Sequence, residues 1–335
     1  MRRLMAVVLT FVAIFGAGWL SLRRPDIPFD TLETAYASPR SQYLMTGEAE
    51  KIHYRDQGNR EGDVLVMVHG FSASLHTWEP WVQELSDEYR IITLDLPGHG
   101  LTRGFDSEDF DTDGFGDVIA ELTDALEIER FTLIGSSMGG HAAWTFALDR
   151  PQHVEALVLV AAAGWPPTDE ELAETPLVFK ALDSALIRNV VKDLDNSAMI
   201  RSGLEASFYN QSFVTEDMIQ RYASLNRAPG HRDAILHIIA DRDERRVATP
   251  QSLATLAMPT LVMHGREDNL VPFTHGESFA AVIPGADMLA YDNVGHIPQE
   301  EIARQSATDL DLWLDNLEAG QRSVSEDAPL QDGAQ

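Results

Sequence analysis

Ser137 lies in the pentad Gly135-Ser136-Ser137-Met138-Gly139, between an apolar, β-branched run and a segment with helical periodicity. Glycine at both ends of the pentad lets a strand and a helix approach closely, while the central serine lies on a tight, strained turn. If Ser136 were the central residue, Ile134 would stand where the first glycine belongs. A serine presented in this way is a candidate nucleophile that needs a base and a carboxylate.

Candidates for the base and the carboxylate lie downstream, each in a loop after an apolar strand-like run. Asp268 follows the run 260–263, and His296 follows the run 287–291. Because the carboxyl ends of parallel strands meet at one edge of a sheet, we expect both side chains near Ser137. The sequence therefore predicts a catalytic set of Ser137, Asp268 and His296.

Two other carboxylates compete with Asp268. Glu267 is its neighbour, and Asp169 follows the strand-like run 156–161. Asp268 is preferred because its loop closes with Val271-Pro272, which directs its carboxylate towards the sheet.

Backbone N–H groups must receive the oxyanion that develops during acyl transfer. We expect one donor from Met138, directly after the nucleophile, and the other from Phe71, in the loop after the run 64–68. His69, in the same loop, is expected to be a buried ring that bonds to neighbouring backbone.

Strand-like runs alternate with helical patterns, which predicts an α/β fold with a mostly parallel central sheet flanked by helices. Strands are predicted at 51–55, 64–68, 90–94, 131–135, 156–161, 260–263 and 287–291. Core helices are predicted at 77–86, 108–126, 138–148, 273–282 and 299–317, and helices of an insertion at 177–191, 199–208 and 215–225.

These patterns divide the chain into six predicted segments. They are a membrane anchor at 1–24, a linker at 25–47, the first part of the core at 48–164, a helical cap or lid at 165–248, the second part of the core at 249–318 and an acidic disordered tail at 319–335. The cap contains apolar residues that pack it onto the core or line an acyl pocket: Leu177, Val178, Phe179, Leu182, Leu186, Phe208 and Phe213.

The run Leu4–Leu22 has no charged residue and is flanked by arginine pairs. It is just long enough to cross a bilayer, and we predict an N-terminal transmembrane helix. A cleaved signal peptide is the alternative, but the small-residue site at 35–37 lies far beyond the apolar run. We expect a single-pass protein of the inner membrane, with its catalytic body on the exported side. Arginines flank the run on both sides, so charge alone does not determine its orientation.

Composition excludes several classes of partner. The net charge of −28 disfavours binding to nucleic acid. The absence of cysteine excludes disulfides and thiolate metal sites. No metal-binding spacing or dinucleotide fingerprint is present, so no metal and no cofactor is expected. The oligomeric state stays open.

Five motifs together resemble the α/β-hydrolase fold-1 family over about Tyr43 to Leu317. They are His69-Gly70-Phe71, Asp95-Leu96-Pro97-Gly98-His99-Gly100, the pentad with Gly140, Asp268 within Gly265-Arg266-Glu267-Asp268, and Gly295-His296. The chain order serine, aspartate, histidine is the order of that fold. The motif at 95–100 is a structural turn in such proteins, and no chemistry is assigned to it.

Within that family the chain resembles membrane-anchored bacterial lipases and esterases, and it is also similar to carbon-carbon bond hydrolases. The resemblance implies a serine hydrolase that cleaves hydrophobic carboxylic esters through an acyl-enzyme. The alternatives are hydrolysis of a carbon-carbon bond or a thioester, cofactor-free perhydrolysis, and a non-catalytic binding protein on a hydrolase scaffold. Epoxide hydrolases and haloalkane dehalogenases of this family carry an aspartate at the position of Ser137, so the resemblance does not extend to these two activities.

Overall fold

The computed structural model describes residues 16–106, 110–174, 181–241 and 245–326. Its central element is a sheet of eight strands: β1 Ser41–Met45, β2 Lys51–Gly58, β3 Val64–Val68, β4 Arg90–Leu94, β5 Phe131–Ser136, β6 Val154–Val160, β7 Thr260–Gly265 and β8 Asp287–Tyr291. The strand order is β1-β2-β4-β3-β5-β6-β7-β8. β1 and β4 pair antiparallel to β2, and all other neighbours are parallel. The predicted mostly parallel sheet is confirmed.

Helices connect the strands and cover the sheet. They are α1 Phe29–Tyr36, α2 Glu79–Leu85, α3 Thr112–Ala125, α4 Met138–Asp149, α5 Asp169–Glu174, α6 Ala185–Val191, α7 Ser197–Ser207, α8 Glu216–Leu225, α9 His231–Ala240, α10 Pro250–Leu253, α11 Phe273–Val282, α12 Pro298–Glu301 and α13 Ala303–Glu326. Helices α5 to α9 lie in the insertion between β6 and β7, where the sequence predicts the cap.

Two apolar cores lie on opposite faces of the sheet. On one face α3, α4 and α11 contribute Phe115, Trp144 and Phe279. On the other, α2 and α13 contribute Trp81 and Trp313. β5 is buried along its whole length, as expected of a strand covered on both faces.

The segment predicted as the linker 25–47 contains two regular elements instead. Leu32 of α1 is buried against Leu101 and Leu225. β1 forms the edge of the sheet, with Ser41 opposite Arg55 and Met45 opposite Lys51. The prediction missed β1 because its sequence lacks the alternation of a typical strand; pairing with β2 stabilises it.

Several predicted helix bounds also change. The predicted helix 299–317 is divided into α12 and α13, because Ile302 leaves the helical conformation (φ −127°, ψ 41°). α13 continues to Glu326, into the predicted disordered tail, and residues 327–335 lie outside the described residues. Residues 108–109 and 177–180 of two other predicted helices are also outside them.

The predicted anchor falls mostly on residues 1–15, which lie outside the described residues, while residues 16–22 are helical. Among the residues that the structure describes, no helix has the length and apolar character needed to cross a membrane.

Candidate active site

Ser137 occupies the turn between β5 and α4. Its backbone has φ 54° and ψ −116°, a conformation that L-residues rarely adopt and that is typical of strained functional positions. The Ser137 N–H donates to the Val160 carbonyl at 3.0 Å, which ties the turn to β6. A Cβ on Gly139 would lie 2.3 Å from the Val68 carbonyl oxygen, so this close approach of helix and strand requires glycine.

Asp268 and His296 form a buried pair at the carboxyl ends of β7 and β8. Nδ1 of His296 lies 2.7 Å from Oδ2 of Asp268, and both side chains are nearly inaccessible to solvent. The other carboxylate oxygen accepts the N–H groups of Leu270 and Val271 at 2.8 and 3.0 Å. These bonds fix the Asp268 carboxylate, which in turn orients the imidazole.

A second histidine, His264, contacts the same carboxylate. Its Nε2 lies 3.1 Å from Oδ2 of Asp268 and 3.0 Å from the Val271 carbonyl. Burial raises the pKa of Asp268, but charge interaction with His296 and the hydrogen bonds of both histidines outweigh burial and hold the pKa below its ordinary value. Asp268 is therefore ionised at neutral pH. Sequence reasoning missed His264, although it stands four residues before Asp268 at the end of β7.

The loop that carries His296 is joined to the turn that carries Ser137. Gln299 donates through Nε2 to Oγ of Ser136 at 3.1 Å. In the described part of the chain, the Ser137 hydroxyl makes no hydrogen bond to the His296 ring, whose Nε2 has no protein partner. The structure thus forms the carboxylate–imidazole pair but not the serine–imidazole bond; such bonds are often long before substrate binds.

The loop after β3 lies against the nucleophile. A Cβ on Gly70 would be 3.1 Å from Cβ and 3.7 Å from Oγ of Ser137. In the described structure, the next N–H, that of Phe71, donates no hydrogen bond. Met138 is the first residue of α4, where a backbone N–H has no partner within the helix. Both predicted oxyanion donors are therefore available.

His69 has the structural role that the sequence predicts. Its buried ring donates from Nδ1 to the Gly70 carbonyl at 2.7 Å, and its Nε2 accepts the Leu96 N–H at 3.0 Å. Burial lowers the pKa of His69, so the ring is neutral, as this pattern of bonds requires.

Glu301, the last residue of α12, joins the loop of His296 to the cap. Its buried carboxylate accepts the N–H groups of Gly295 at 2.8 Å, Tyr209 at 3.2 Å and Asn210 at 2.7 Å. The His296 N–H donates to the Ser207 carbonyl at 2.7 Å. The end of α7 is thereby bonded to the loop of the candidate base. Sequence reasoning missed Glu301, because its partners are backbone groups of a distant segment.

The apolar residues predicted to pack the cap separate into two groups. Leu182 and Phe208 are buried, whereas Leu186 and Phe213 are exposed. Leu177, Val178 and Phe179 lie outside the described residues.

A candidate cation site lies elsewhere. Within the described residues, one acidic group, Glu88, Asp311 and Asp315, brings carboxylate oxygens within 4.8 Å of one another. It lies before β4 and on α13 rather than at the strand ends that carry Ser137 and Asp268. Acidic surface residues often cluster in this way without a cation.

Comparison with known proteins identifies the family. A model of the alpha/beta hydrolase fold matches residues 63–302. The chain belongs to the alpha/beta hydrolase fold family. In this hydrolase the turn that carries Ser137, the candidate carboxylate Asp268 and the candidate base His296 all lie within the matched residues.

Two relatives of this hydrolase have different named activities. It is 29% identical over 277 residues to a 2-hydroxy-6-oxononadienedioate/2-hydroxy-6-oxononatrienedioate hydrolase of Cupriavidus pinatubonensis, covering 81% of this chain and 93% of the relative. It is 28% identical over 269 residues to a pimeloyl-(acyl-carrier protein) methyl ester esterase of Aliivibrio salmonicida, covering 78% and 95%.

A solved structure of a bacterial membrane phospholipase A shares the fold, with a TM-score of 0.72 at 23% identity. The match covers 95% of this chain and 99% of that chain.

Proposed function

We propose that this hydrolase cleaves carboxylic esters through a covalent acyl-enzyme. Oγ of Ser137 attacks the ester carbonyl carbon while Nε2 of His296 takes the hydroxyl proton. Collapse of the tetrahedral intermediate breaks the bond to the alkoxy oxygen, and His296 gives its proton to the departing alcohol. Asp268 holds the ring with Nδ1–H towards the carboxylate and stabilises the imidazolium.

Water completes the cycle. His296 takes a proton from a water molecule that attacks the acyl carbon, and returns it to Oγ of Ser137 as the carboxylic acid leaves. The N–H groups of Phe71 and Met138 receive the oxyanion in both half-reactions, and each such donor typically contributes about 3 kcal/mol. The close approach of Gly70, the residue before Phe71, to Ser137 and the position of Met138 at the start of α4 support this role.

The observation that carries the proposal is the buried Asp268–His296 pair at 2.7 Å, with Nε2 of His296 left unpartnered in the described structure. The buried ring of His69, by contrast, uses both of its nitrogens in bonds to the backbone. The esterase among the relatives supports the choice of an ester bond.

Hydrolysis of p-nitrophenyl esters of increasing acyl length tests the proposal. We expect turnover by the wild-type chain and loss of about 10⁶-fold in kcat for Ser137→Ala. Ser136→Ala is the matched control, because it keeps the Ser137 hydroxyl and removes the neighbouring hydroxyl together with its bond to Gln299; we expect it to lose far less activity than Ser137→Ala. Wild-type turnover by Ser137→Ala would refute the assignment. Activity confined to the acetyl ester would exclude the lipid-like substrates that the apolar cap favours.

A carbon-carbon bond hydrolase is the second candidate, favoured by the named activity of the other relative. The same three side chains would serve it. Product analysis with a ring-fission dienol substrate, beside the ester panel, separates the two. Faster cleavage of the carbon-carbon bond than of any ester would replace the first proposal. Thioesters and perhydrolysis belong in the same panel, and failure of a fluorophosphonate probe to label Ser137 would favour the binding-protein alternative.

We further propose that the run Leu4–Leu22 anchors this hydrolase in the inner membrane, with its body on the exported side. The length and lack of charge of that run support the anchor. Fractionation of the full chain, followed by carbonate washing and protease treatment of spheroplasts, tests both statements. Release by carbonate would exclude an integral anchor, and protection from protease would place the body inside.

A further inference from the structure

Helix α6 of the cap is apolar but buries none of its residues. The structure describes every residue of this helix, and none of them is buried. Leu186 is 76% exposed, and Ile187 and Val190 are also exposed. Residues 186, 187 and 190 share one side of a helix, because positions three and four apart are neighbours on its surface. A contiguous exposed apolar face marks an interaction surface.

The last residues of the N-terminal apolar run Leu4–Leu22 are bonded to this helix and to the residues after it. Nε1 of Trp19 donates to the Val190 carbonyl at 2.7 Å. The Asp195 N–H donates to the Leu22 carbonyl at 2.9 Å, and Arg23 pairs antiparallel with Leu194. Two more leucines of this segment, Leu20 and Leu22, are exposed. Helix α6 and residues 16–22 therefore present apolar side chains from two joined segments.

The stretch 184–192 itself carries only basic charges, and Asp183 and Asp193 flank it. Residues 184–192 contain Arg188 and Lys192 and no acidic residue, in a protein of net charge −28. Nζ of Lys192 contacts the half-exposed Asp233 at 3.1 Å. Leucine, isoleucine and valine with interspersed Lys and Arg are typical of helices that lie in the interface of a membrane. Trp19 is the residue type enriched at the level of the head groups.

We propose that α6 and residues 16–22 form a membrane-docking surface that rests the cap on the bilayer into which the N-terminal run inserts. This docking surface depends on the membrane anchor proposed above. It depends on the proposed ester hydrolysis only for its expected effect on the hydrolysis of esters in a membrane. The bilayer is the occupant that the observations favour, because residues 16–22 are the end of the run Leu4–Leu22 and because Arg188 of α6 and Lys192 after it add cations beside the apolar face. The experiment below distinguishes the bilayer from two other occupants of this surface, namely residues 1–15 of the same chain and a second copy of the chain.

The chain has no cysteine, so a single introduced thiol can report on the surface. Leu186→Cys in the full chain is labelled with an environment-sensitive nitrobenzoxadiazole dye and reconstituted into vesicles of phosphatidylcholine and phosphatidylglycerol. Leu312→Cys is the matched control, because Leu312 is an exposed leucine of α13, at 54%. We expect doxyl-labelled lipid to quench the dye at 186 at least about twofold more than the dye at 312.

Three results would overturn the proposal. Equal quenching at both positions, with the protein retained on the vesicles, leaves the anchor intact and removes the docking surface. The dye at 186 is shielded from water but not quenched by lipid if another part of the protein covers this surface. In that case, cross-linking between chains through the thiol of the Leu186→Cys variant indicates a second copy. The absence of cross-linking indicates the N-terminal segment. Failure of the full chain to bind vesicles refutes both anchor and surface.

A second variant tests the consequence. Leu186→Glu should reduce hydrolysis of an ester embedded in vesicles by about fivefold or more, while hydrolysis of a water-soluble ester changes less than about twofold. Equal reduction of both rates would place Leu186 in the acyl pocket instead. The quenching experiment needs no activity, so absence of ester turnover would refute the proposed reaction without touching the docking surface.

Discussion

Two buried carboxylate–histidine pairs in this hydrolase have nearly the same geometry and different surroundings. Asp95 and His53 lie 2.6 Å apart, and Asp268 and His296 lie 2.7 Å apart. In the first pair, Nε2 of the histidine contacts Oγ of Ser41 at 2.8 Å, and both side chains are fully buried. In the second, Nε2 has no partner among the described residues.

The two pairs therefore differ in the second ring nitrogen of the histidine, which is bonded to Ser41 in the first pair and, within the described part of the chain, is unpartnered in the second. Asp95 also accepts the N–H groups of Leu75 at 2.7 Å and Leu101 at 2.8 Å, so it ties the segments after β3 and β4 to β2. Every hydrogen-bonding group of that pair serves the fold. His296 keeps one nitrogen for a reacting proton.

Of the two carboxylate substitutions, Asp268→Asn has the larger expected effect on catalysis. The amide cannot hold the imidazole in the required tautomer, so kcat for a p-nitrophenyl ester should decrease about 10⁴-fold. Steady-state kinetics, with near-UV circular dichroism to verify folding, measure it. Retention of more than about a tenth of the wild-type kcat would show that another carboxylate, such as Glu267, orients the base.

Asp95→Asn should act on stability instead. Breaking a buried pair leaves uncompensated buried groups, which typically costs about 3–5 kcal/mol. Urea unfolding should show that loss, while kcat per folded molecule stays within about tenfold of wild type. A loss of kcat as large as that of Asp268→Asn, with normal stability, would remove the distinction between the two pairs.

Replacing the histidine of each pair sharpens the comparison. His53→Gln should lower the free energy of unfolding by about 1–3 kcal/mol, because Ser41 of β1 and Asp95 each lose a partner. The matched change His296→Gln should abolish turnover while Asp268 keeps His264 and two backbone donors. Inactivation by His53→Gln in a folded protein would contradict its structural role.

Acid should destabilise the protein in two stages. Burial lowers the pKa of His99 to about 3 and that of His141 to about 4. The unfolded chain, in which the pKa of histidine is about 6.5, therefore takes up protons before the folded protein does. The contribution of the two neutral rings to the free energy of unfolding is complete above about pH 6.5 and decreases below it. Burial raises the pKa of Asp95 and Asp268, but contacts with histidines outweigh burial and lower the pKa of both carboxyl groups. Protonation of these groups therefore causes a further loss of the free energy of unfolding below about pH 3.9. Urea unfolding measured from pH 7 to pH 3 tests this. A constant free energy of unfolding between pH 7 and 5 would contradict the first stage.

Local signals in the sequence predicted most of the core. Continuous apolar runs identified β3, β5 and β7, and the glycines of the pentad located the turn of Ser137. The sequence predicted that Asp268 and His296, one of eleven histidines, act together, but it could not indicate that His53 pairs with Asp95, since these two become partners only through strand pairing. Glu301 and Gln299 were missed because their bonds cross between distant loops.

Labelling with a fluorophosphonate probe, read by mass spectrometry of the modified peptide, tests most directly whether Ser137 is an activated nucleophile. We predict a single phosphonylated residue, Ser137, in the wild type and in Asp95→Asn, with labelling slowed at least about 100-fold in His296→Gln and Asp268→Asn. Modification of another serine, or labelling of Ser137 at the wild-type rate without His296, would contradict the assignment of nucleophile and base.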